Sequence, residues 1–376
     1  MQHKERRSGP PSIVEVAREA GVSTATAGRV LGGYGQASAA ARTKVEDAAR
    51  RLGYRPNGLA RSLIQGSSQT IGVIVPDIGN SFFASAVRAI ADAVRTAGYE
   101  ILLANTGVDA AAEQRAIQVM WEKRVDGLVI APQSPETADR LRTLVDAGLP
   151  LVLLDRPLAA LPQVDQVTIN NTGCARSAVR HLVRLGHRRI AVISEGAGDF
   201  ARLRTSATTD GGDERPSVAR LLGYLAALRQ AGIEPDADLV VHSSYDRGAA
   251  ERATLRLLSR DRGVTALFCT DNVLVSGAVA ALQRSGRTCP DEVSLVGFDD
   301  QDWTTLVRPR LTVVRQPKRE LGTAAAQLLL DRIDQRRERA EESSPSSTEA
   351  GELMVLRGRL VKRESTGPAP EPLVTL

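Results

Sequence analysis

Side chains able to do chemistry gather in two kinds of place along this 376-residue sequence. One is Ser23, Thr24, Ala25, Thr26 and Arg29, where hydroxyls, a methyl and a guanidinium fall on or beside the outer face of a short helix. Such a set suits base edges: an arginine can donate two parallel bonds to guanine, whereas an alanine reads only shape or a thymine methyl. The other kind follows apolar runs, as Asp155 and Arg156 follow 150–154, where they could hydrogen-bond hydroxyls or an anion. Phe82 could stack its flat face on a ring, with Phe83 equally suited to ligand or core. Covalent and metal chemistry are not indicated. His3, His181, His187 and His242 are dispersed, Cys174, Cys269 and Cys289 lack a histidine cluster, and no Gly-x-Ser-x-Gly or phosphate-cradling loop occurs. The expectation is a binding protein that is not an enzyme and needs no cofactor or metal.

The first set is positioned by three predicted helices. Ser12 and Glu15 make a capping box, Ile13, Val16, Ala17 and Ala20 form an inner stripe, and Gly21 stops the first helix. Ser23 caps a second with Ala27, Val30 and Leu31 inward. Ser38 caps a third with Val45, Ala48, Ala49 and Leu52 inward, and Gly53 ends it. Two helices joined through Ala-Gly-Val-Ser make a helix-turn-helix, whose second helix can enter a DNA major groove. Charge supports this over a ligand-free bundle. Residues 1–66 carry 11 Lys and Arg against 5 Asp and Glu, a net of +6, whereas the whole chain is +5 and the remainder therefore −1. Basicity concentrated in one segment is what phosphate contact requires.

From residue 69 the pattern alternates strand and helix. Strands are predicted at 71–75, 100–104, 127–130 and 150–154, and a second series begins near 167 with strands at 190–193, 239–241, 264–268 and 293–296. Helices at 82–97, 111–123, 136–147, 172–185, 218–230, 247–258 and 272–284 separate them. This is the signature of α/β architecture with two doubly wound parallel sheets. Ligands of such sheets sit beyond the carboxyl ends of the strands, here facing each other across a cleft. Residues 194–219 and 337–352 are polar and small, and read as mobile surface insertions unsuited to chemistry. No apolar run reaches about 18 residues, and the first residues lack a signal-peptide core, so a cytoplasmic protein away from membranes is expected. Residues 1–11 read as a disordered tail.

The segments IVEVAREAGVSTATAGRVL, YRPNGLARSL, QTIGVIVPDIGNSFF, VSLVGFDD and RQPKRELG closely resemble the LacI/GalR (lactose-repressor/galactose-repressor) family of transcriptional regulators, over about 12–366. The resemblance implies a helix-turn-helix headpiece at 12–56, a hinge helix and linker at 57–68, and an effector-binding core of periplasmic-binding-protein type at 69–366. It divides the core into an N-subdomain of about 69–165 plus 317–336 and a C-subdomain of about 166–314 plus 353–366. The helix at 318–336 is expected to return to the first half and strands near 353–356 and 359–363 to the second. A tail at 367–376 follows.

By the same resemblance DNA is contacted by Ser12, Ser23, Thr24, Ala25, Thr26, Arg29, Asn57, Ala60, Arg61 and Leu63. The segment 57–63 is marginal as a helix alone and is expected to order on DNA, with Leu63 wedged into the minor groove. Arg220, Tyr245 and Asp299 match effector-binding positions. Asp271-Asn272 reverses the family's usual Asn-Asp, Asn170-Asn171 replaces its Asp-Asn, and Ser81 stands where it has proline. Gly28 replaces a serine, which weakens its helix by up to about 1 kcal/mol. The expected protein is a homodimeric repressor on double-stranded operator DNA, governed by a small-molecule effector, a sugar or related metabolite. Alternatives are a nucleoside- or purine-type corepressor, or a solute-binding protein without gene regulation. A leucine-heptad tail for tetramers is absent from the proline-rich end.

Overall fold

The computed structural model describes residues 11–32, 35–54, 67–196, 200–205, 215–342 and 350–371. The N-terminal unit is made of α1 (Ile13–Ala20), α2 (Thr24–Gly32) and α3 (Ala39–Leu52). The capping box closes α1: Ser12 Oγ accepts from the Glu15 amide at 3.4 Å while Glu15 Oε2 accepts from the Ser12 amide at 2.8 Å. Gly21 and Gly53 end α1 and α3 with φ of +65°, a left-handed turn that costs glycine nothing. Val16, Ala17, Ala27, Val30, Val45 and Ala48 make a core of small side chains. That core lets three short helices approach closely.

Strands and helices then alternate as β1 (Thr70–Val75), α4 (Ser81–Thr96), β2 (Glu100–Asn105), α5 (Ala110–Glu122), β3 (Gly127–Ile130), α6 (Thr137–Asp146), β4 (Leu151–Leu154) and β5 (Asp165–Ile169). The second series is α7 (Asn171–Arg184), β6 (Ile190–Ser194), α8 (Phe200–Thr205), α9 (Pro216–Gln230), β7 (Val240–His242), α10 (Arg247–Arg260), β8 (Ala266–Cys269), α11 (Asn272–Ser285), β9 (Ser294–Phe298), α12 (Trp303–Leu306) and β10 (Thr312–Arg315). It is followed by α13 (Lys318–Glu342), β11 (Leu353–Leu356) and β12 (Arg359–Val361).

Two six-stranded sheets result, in the orders β11-β5-β4-β3-β1-β2 and β12-β10-β9-β8-β6-β7. Every pairing is parallel except β10 with β12. Strands such as Leu128-Val129-Ile130 and Leu151–Leu154 are buried throughout, as parallel strands covered on both faces must be.

The chain crosses between the lobes at β5 to α7, β10 to α13 and β11 to β12. α13 lies on α4 of the first lobe, so closely that a Cβ at Gly322 would come within 2.3 Å of the Ala86 carbonyl oxygen. Three expectations are corrected. The strand Asp165–Ile169, placed with the second series, pairs with β4 in the first sheet. Leu353–Leu356, assigned to the second lobe, runs beside β5 in the first, with Leu353 opposite Gln166. The reason is Asp165, 2% exposed: its carboxylate accepts from Arg332 Nε and Nη2 of α13 at 2.8 and 2.9 Å and from the Glu352 amide at 2.8 Å. That carboxylate ties β5, α13 and the start of β11 together. Finally, α13 runs on to Glu342, into the stretch expected to be an insertion.

Candidate ligand cleft and nucleic-acid interface

Between the carboxyl ends of the two sheets lies a cavity of about 970 Å³. The first lobe contributes Asp77, Asn80, Gln133, Asp155 and Arg156, and the second Glu195, Arg220, Tyr245, Asp271 and Asp299, with Gln316 at the crossover. Asp155 and Asp299 leave β4 and β9 with φ of +67° and +71°, an unfavourable region for non-glycine residues. Both are buried, at 5% and 2% exposure, so the backbone turn aims each carboxylate into the cleft.

The acids crowd one another. Asp299 Oδ1 accepts from Gln316 Nε2 at 2.7 Å, and its Oδ2 lies 3.4 Å from Asn272 Nδ2. Asp155 Oδ1 has no hydrogen-bond partner among the described residues. Burial pushes the Asp155 carboxyl above its ordinary range, against the pull of Arg220 and Arg156. Asp271 is pushed up to about 7, first by burial and then by the Asp299 charge, with Arg220 and the Val273 amide opposing.

Arg220 is the counterweight. It is 5% exposed, donates through Nε to Asn171 Oδ1 and through Nη1 to the Thr270 carbonyl, both at 2.8 Å, and lies 3.8 Å over the Phe298 ring centroid. With Nε and Nη1 bonded and one face stacked, the guanidinium is a fixed cation in the cavity wall. The Tyr245 hydroxyl, its pKa raised by burial and by Asp271, Asp299 and Asp77, stays a neutral phenol.

A latch that sequence reasoning missed spans the cleft. Asn80 Nδ2 donates to the Tyr245 hydroxyl at 2.7 Å, Asn272 Nδ2 donates to Asn80 Oδ1 at 3.0 Å, and the same oxygen caps α4 through the Phe82 amide at 2.9 Å. Ser81 takes part too, accepting from Lys318 Nζ at 3.1 Å. The only local signal was an asparagine before a helix start, which also reads as a plain cap.

The structure gathers Asp155, Arg156, Arg220, Tyr245, Asp271 and Asp299 at the cavity and leaves other residues elsewhere. Asn170 caps α7, accepting from the Gly173 amide at 2.7 Å, and does not line the cleft; its neighbour Asn171 reaches Arg220 instead. Phe82 and Phe83 border the cavity but are 3% and 5% exposed and packed edge to face at 5.0 Å, so Phe82 offers no open face for stacking. Glu195, Arg215, Pro216 and Ser217 line the cavity, which corrects the expectation that 194–219 holds no chemistry. No group of three or more His, Cys, Asp or Glu that could hold a metal occurs among the described residues, and no described helix is long and apolar enough to cross a membrane.

On the N-terminal unit, Thr24, Ala25 and Arg29 are exposed on α2. Ser23 Oγ accepts from the Thr26 amide at 3.1 Å, and Arg29 Nη2 donates to Thr26 Oγ1 at 3.4 Å, holding the guanidinium along the helix face. A Cβ at Gly35 would come within 3.2 Å of Arg29 Cδ, so the loop after α2 braces the arginine stem. Ser12 is exposed at the α1 start. Asn57, Ala60, Arg61 and Leu63 lie outside the described residues.

A helix-turn-helix carried on a two-lobed core, with a cleft at the strand ends, defines a ligand-responsive DNA-binding regulator. The family described as "Bacterial regulatory proteins, lacI family" matches residues 12–57, and that described as "Periplasmic binding proteins and sugar binding domain of LacI family" matches 68–349. The chain belongs to the LacI family of transcriptional regulators. It is 34% identical to the HTH-type transcriptional regulator GalR of Escherichia coli (strain K12), over 86% of this chain and 90% of that one. Among solved structures it is similar to a transcriptional regulator CelR–cellobiose complex, with 31% identity, a TM-score of 0.66 and coverage of 94% and 99%. It is also similar to a lac repressor dimer bound to operator and the anti-inducer ONPF, with 25% identity, a TM-score of 0.76 and coverage of 96% and 100%.

Proposed function

We propose that this protein is a cytoplasmic, homodimeric, non-catalytic repressor whose operator affinity is set by an uncharged polyhydroxylated ligand of the sugar class held in the cleft. The observation that carries this reading is the cleft's charge. Its described lining has six acids, Asp77, Asp155, Glu195, Asp246, Asp271 and Asp299, against three arginines, Arg156, Arg215 and Arg220. A phosphorylated or carboxylated ligand would be repelled, whereas hydroxyls can donate to ionised carboxylates and accept from Arg220. The volume suits a monosaccharide or disaccharide.

The mechanism is a population shift. The Asn80, Tyr245 and Asn272 bonds already join the lobes, so a ligand reaching both sides favours one lobe arrangement by its difference in affinity between arrangements. The lobes carry the headpieces, so that arrangement changes how two copies present their α2 helices and 57–68 segments to the half-sites of an operator. Thr24, Ala25 and Arg29 read base edges, and Ser12, Ser23 and Thr26 contact phosphates. The relatives bear on this only in part: the regulator CelR was solved with cellobiose, and the lac repressor dimer was solved on operator.

The test is a thermal-shift screen of neutral sugars, sugar phosphates, nucleosides and purine bases, followed by DNA-binding titrations with each hit. A neutral sugar should raise the melting temperature and change operator affinity. Stabilisation by sugar phosphates alone, or a hit without effect on DNA affinity, overturns the reading.

A further inference from the structure

A second cavity of about 630 Å³ adjoins the cleft, sharing Gln316 in its wall. Its walls come from both lobes: Ser85 of α4, the 300–305 stretch after β9, and the crossovers 315–320 and 357–359. The described lining holds the cations Arg315, Lys318, Arg319, Arg357, Arg359 and Arg363 and the acids Asp300, Asp302 and Glu320, a surplus of three positive charges. We propose that this cavity is an anion site for a phosphate group, either inorganic phosphate or a small phosphate monoester.

Of the six cations, three form a scaffold, Arg319 faces Asp92 of α4 at 3.7 Å, and a pair lies open. Asp300, 7% exposed at its side chain, accepts from Arg315 Nε at 2.7 Å and from Arg363 Nη2 at 2.9 Å, fixing two guanidiniums in the wall. Lys318 Nζ lies between Ser81 Oγ at 3.1 Å and the Asp300 carbonyl at 3.4 Å. Arg357 and Arg359 differ. Both are exposed, and their side chains have no hydrogen bond or ion pair among the described residues, so their forks are available to an incoming oxyanion.

Gly358 lies between them. A Cβ there would come within 2.9 Å of Cys174 Sγ and 3.1 Å of the Arg315 carbonyl oxygen, so the glycine face is pressed onto the second lobe. Arg357 and Arg359, on either side of that glycine, both line the cavity. The cavity also lies at the start of the 25-residue α13, whose first-turn amides and dipole favour an anion. Planar guanidiniums bind phosphate oxygens in pairs, which a lysine cannot do.

The test is isothermal titration of the full chain with inorganic phosphate, glucose 6-phosphate and glucose at low ionic strength. One phosphate per chain should bind, and glucose should not compete with it. The variant Arg357→Ala/Arg359→Ala should bind about tenfold more weakly, as expected for loss of two charge-assisted contacts. Both side chains are exposed, so circular dichroism should show an unchanged fold. Because the DNA-binding unit is also basic, Arg50→Ala/Arg51→Ala on α3 is the control and should bind phosphate as the parent does. Tighter binding of glucose 6-phosphate than of phosphate assigns the site to a monoester, and the reverse order assigns it to the free ion. Absence of saturable binding, or equal affinity in the Arg357/Arg359 variant, overturns the proposal.

Discussion

The two cavities of the core differ in sign of charge although they share a wall. Consecutive residues split between them: Asp299 faces the cleft and Asp300 the cavity behind it, while Gln316 holds Asp299 and Arg315 holds Asp300. The cleft lining holds six acids against three arginines, and Asp155 Oδ1, without a partner among the described residues, stays open to a hydroxyl. Behind the wall Asp300 is doubly paired, so the surplus there is guanidinium. A strand end can therefore present opposite chemistries to two ligands, and each can be disturbed separately.

The largest expected effect comes from removing the cleft's buried cation. Arg220→Ala removes the cation that Asp271 and Asp155 face, leaves Asp155 with Arg156 and Asp299 with Lys318, and frees the Thr270 carbonyl and Asn171 from their donor. Breaking a buried charge cluster from one side typically costs about 3–5 kcal/mol. The melting temperature should fall clearly and ligand-induced stabilisation should vanish, both read by calorimetry. A variant as stable as the parent would mean that the acids do not need this arginine.

Next is Asp300→Ala, which acts on the other side of the wall. Releasing Arg315 and Arg363 should cost about 2 kcal/mol through lost charge-assisted bonds. The same change should tighten phosphate binding in the rear cavity, since one competing carboxylate is gone. A less stable protein that binds phosphate better sharpens the contrast; one that binds it worse would show that Asp300 positions the guanidiniums.

Asp271 supplies the pH dependence. Its folded value of about 7 lies above the ordinary 3.8, so between those pH values the folded chain holds a proton that the unfolded chain has released. Stability contributed by this group is therefore full below pH 4 and declines as pH rises through 7. Asp271→Asn removes the decline. Unfolding of the two proteins should agree near pH 4 and separate near pH 8, where the variant melts a few degrees higher.

How much of this was readable beforehand depends on how local each signal is. The N-terminal helices were legible because Ser12, Glu15, Gly21 and Ser38 write their boundaries within a few residues. The alternation of strands and helices gave two α/β lobes, and the strand-end rule led to Asp155, while family resemblance led to Arg220 and Asp299. Pairing of Leu353–Leu356 was not legible, since a four-residue edge strand carries no mark of which sheet it joins. The buried Asp165 decides that, from 188 positions earlier than Leu353. Asn170 and Asn171 are the same residue type, and only the α7 start determines that the first caps the helix and the second meets Arg220. Nor could sequence show the rear cavity: its arginines lie on two crossovers and just beyond β12, segments that become neighbours only when both lobes have formed.

The smallest expected effect tests the latch that couples lobes to ligand. Tyr245→Phe removes one acceptor, so Asn80 Nδ2 loses a 2.7 Å bond while the ring keeps its place. A neutral bond of this kind contributes about 1 kcal/mol, so global stability should change little. Under the proposed population shift, with lobe arrangements separated by only a few kcal/mol, loss of one bond across the cleft shifts the populations severalfold. Operator affinity without ligand should therefore change more, in proportion, than the melting temperature does. Equal proportional effects would place Tyr245 in the framework of its lobe, with no part in the contact between them.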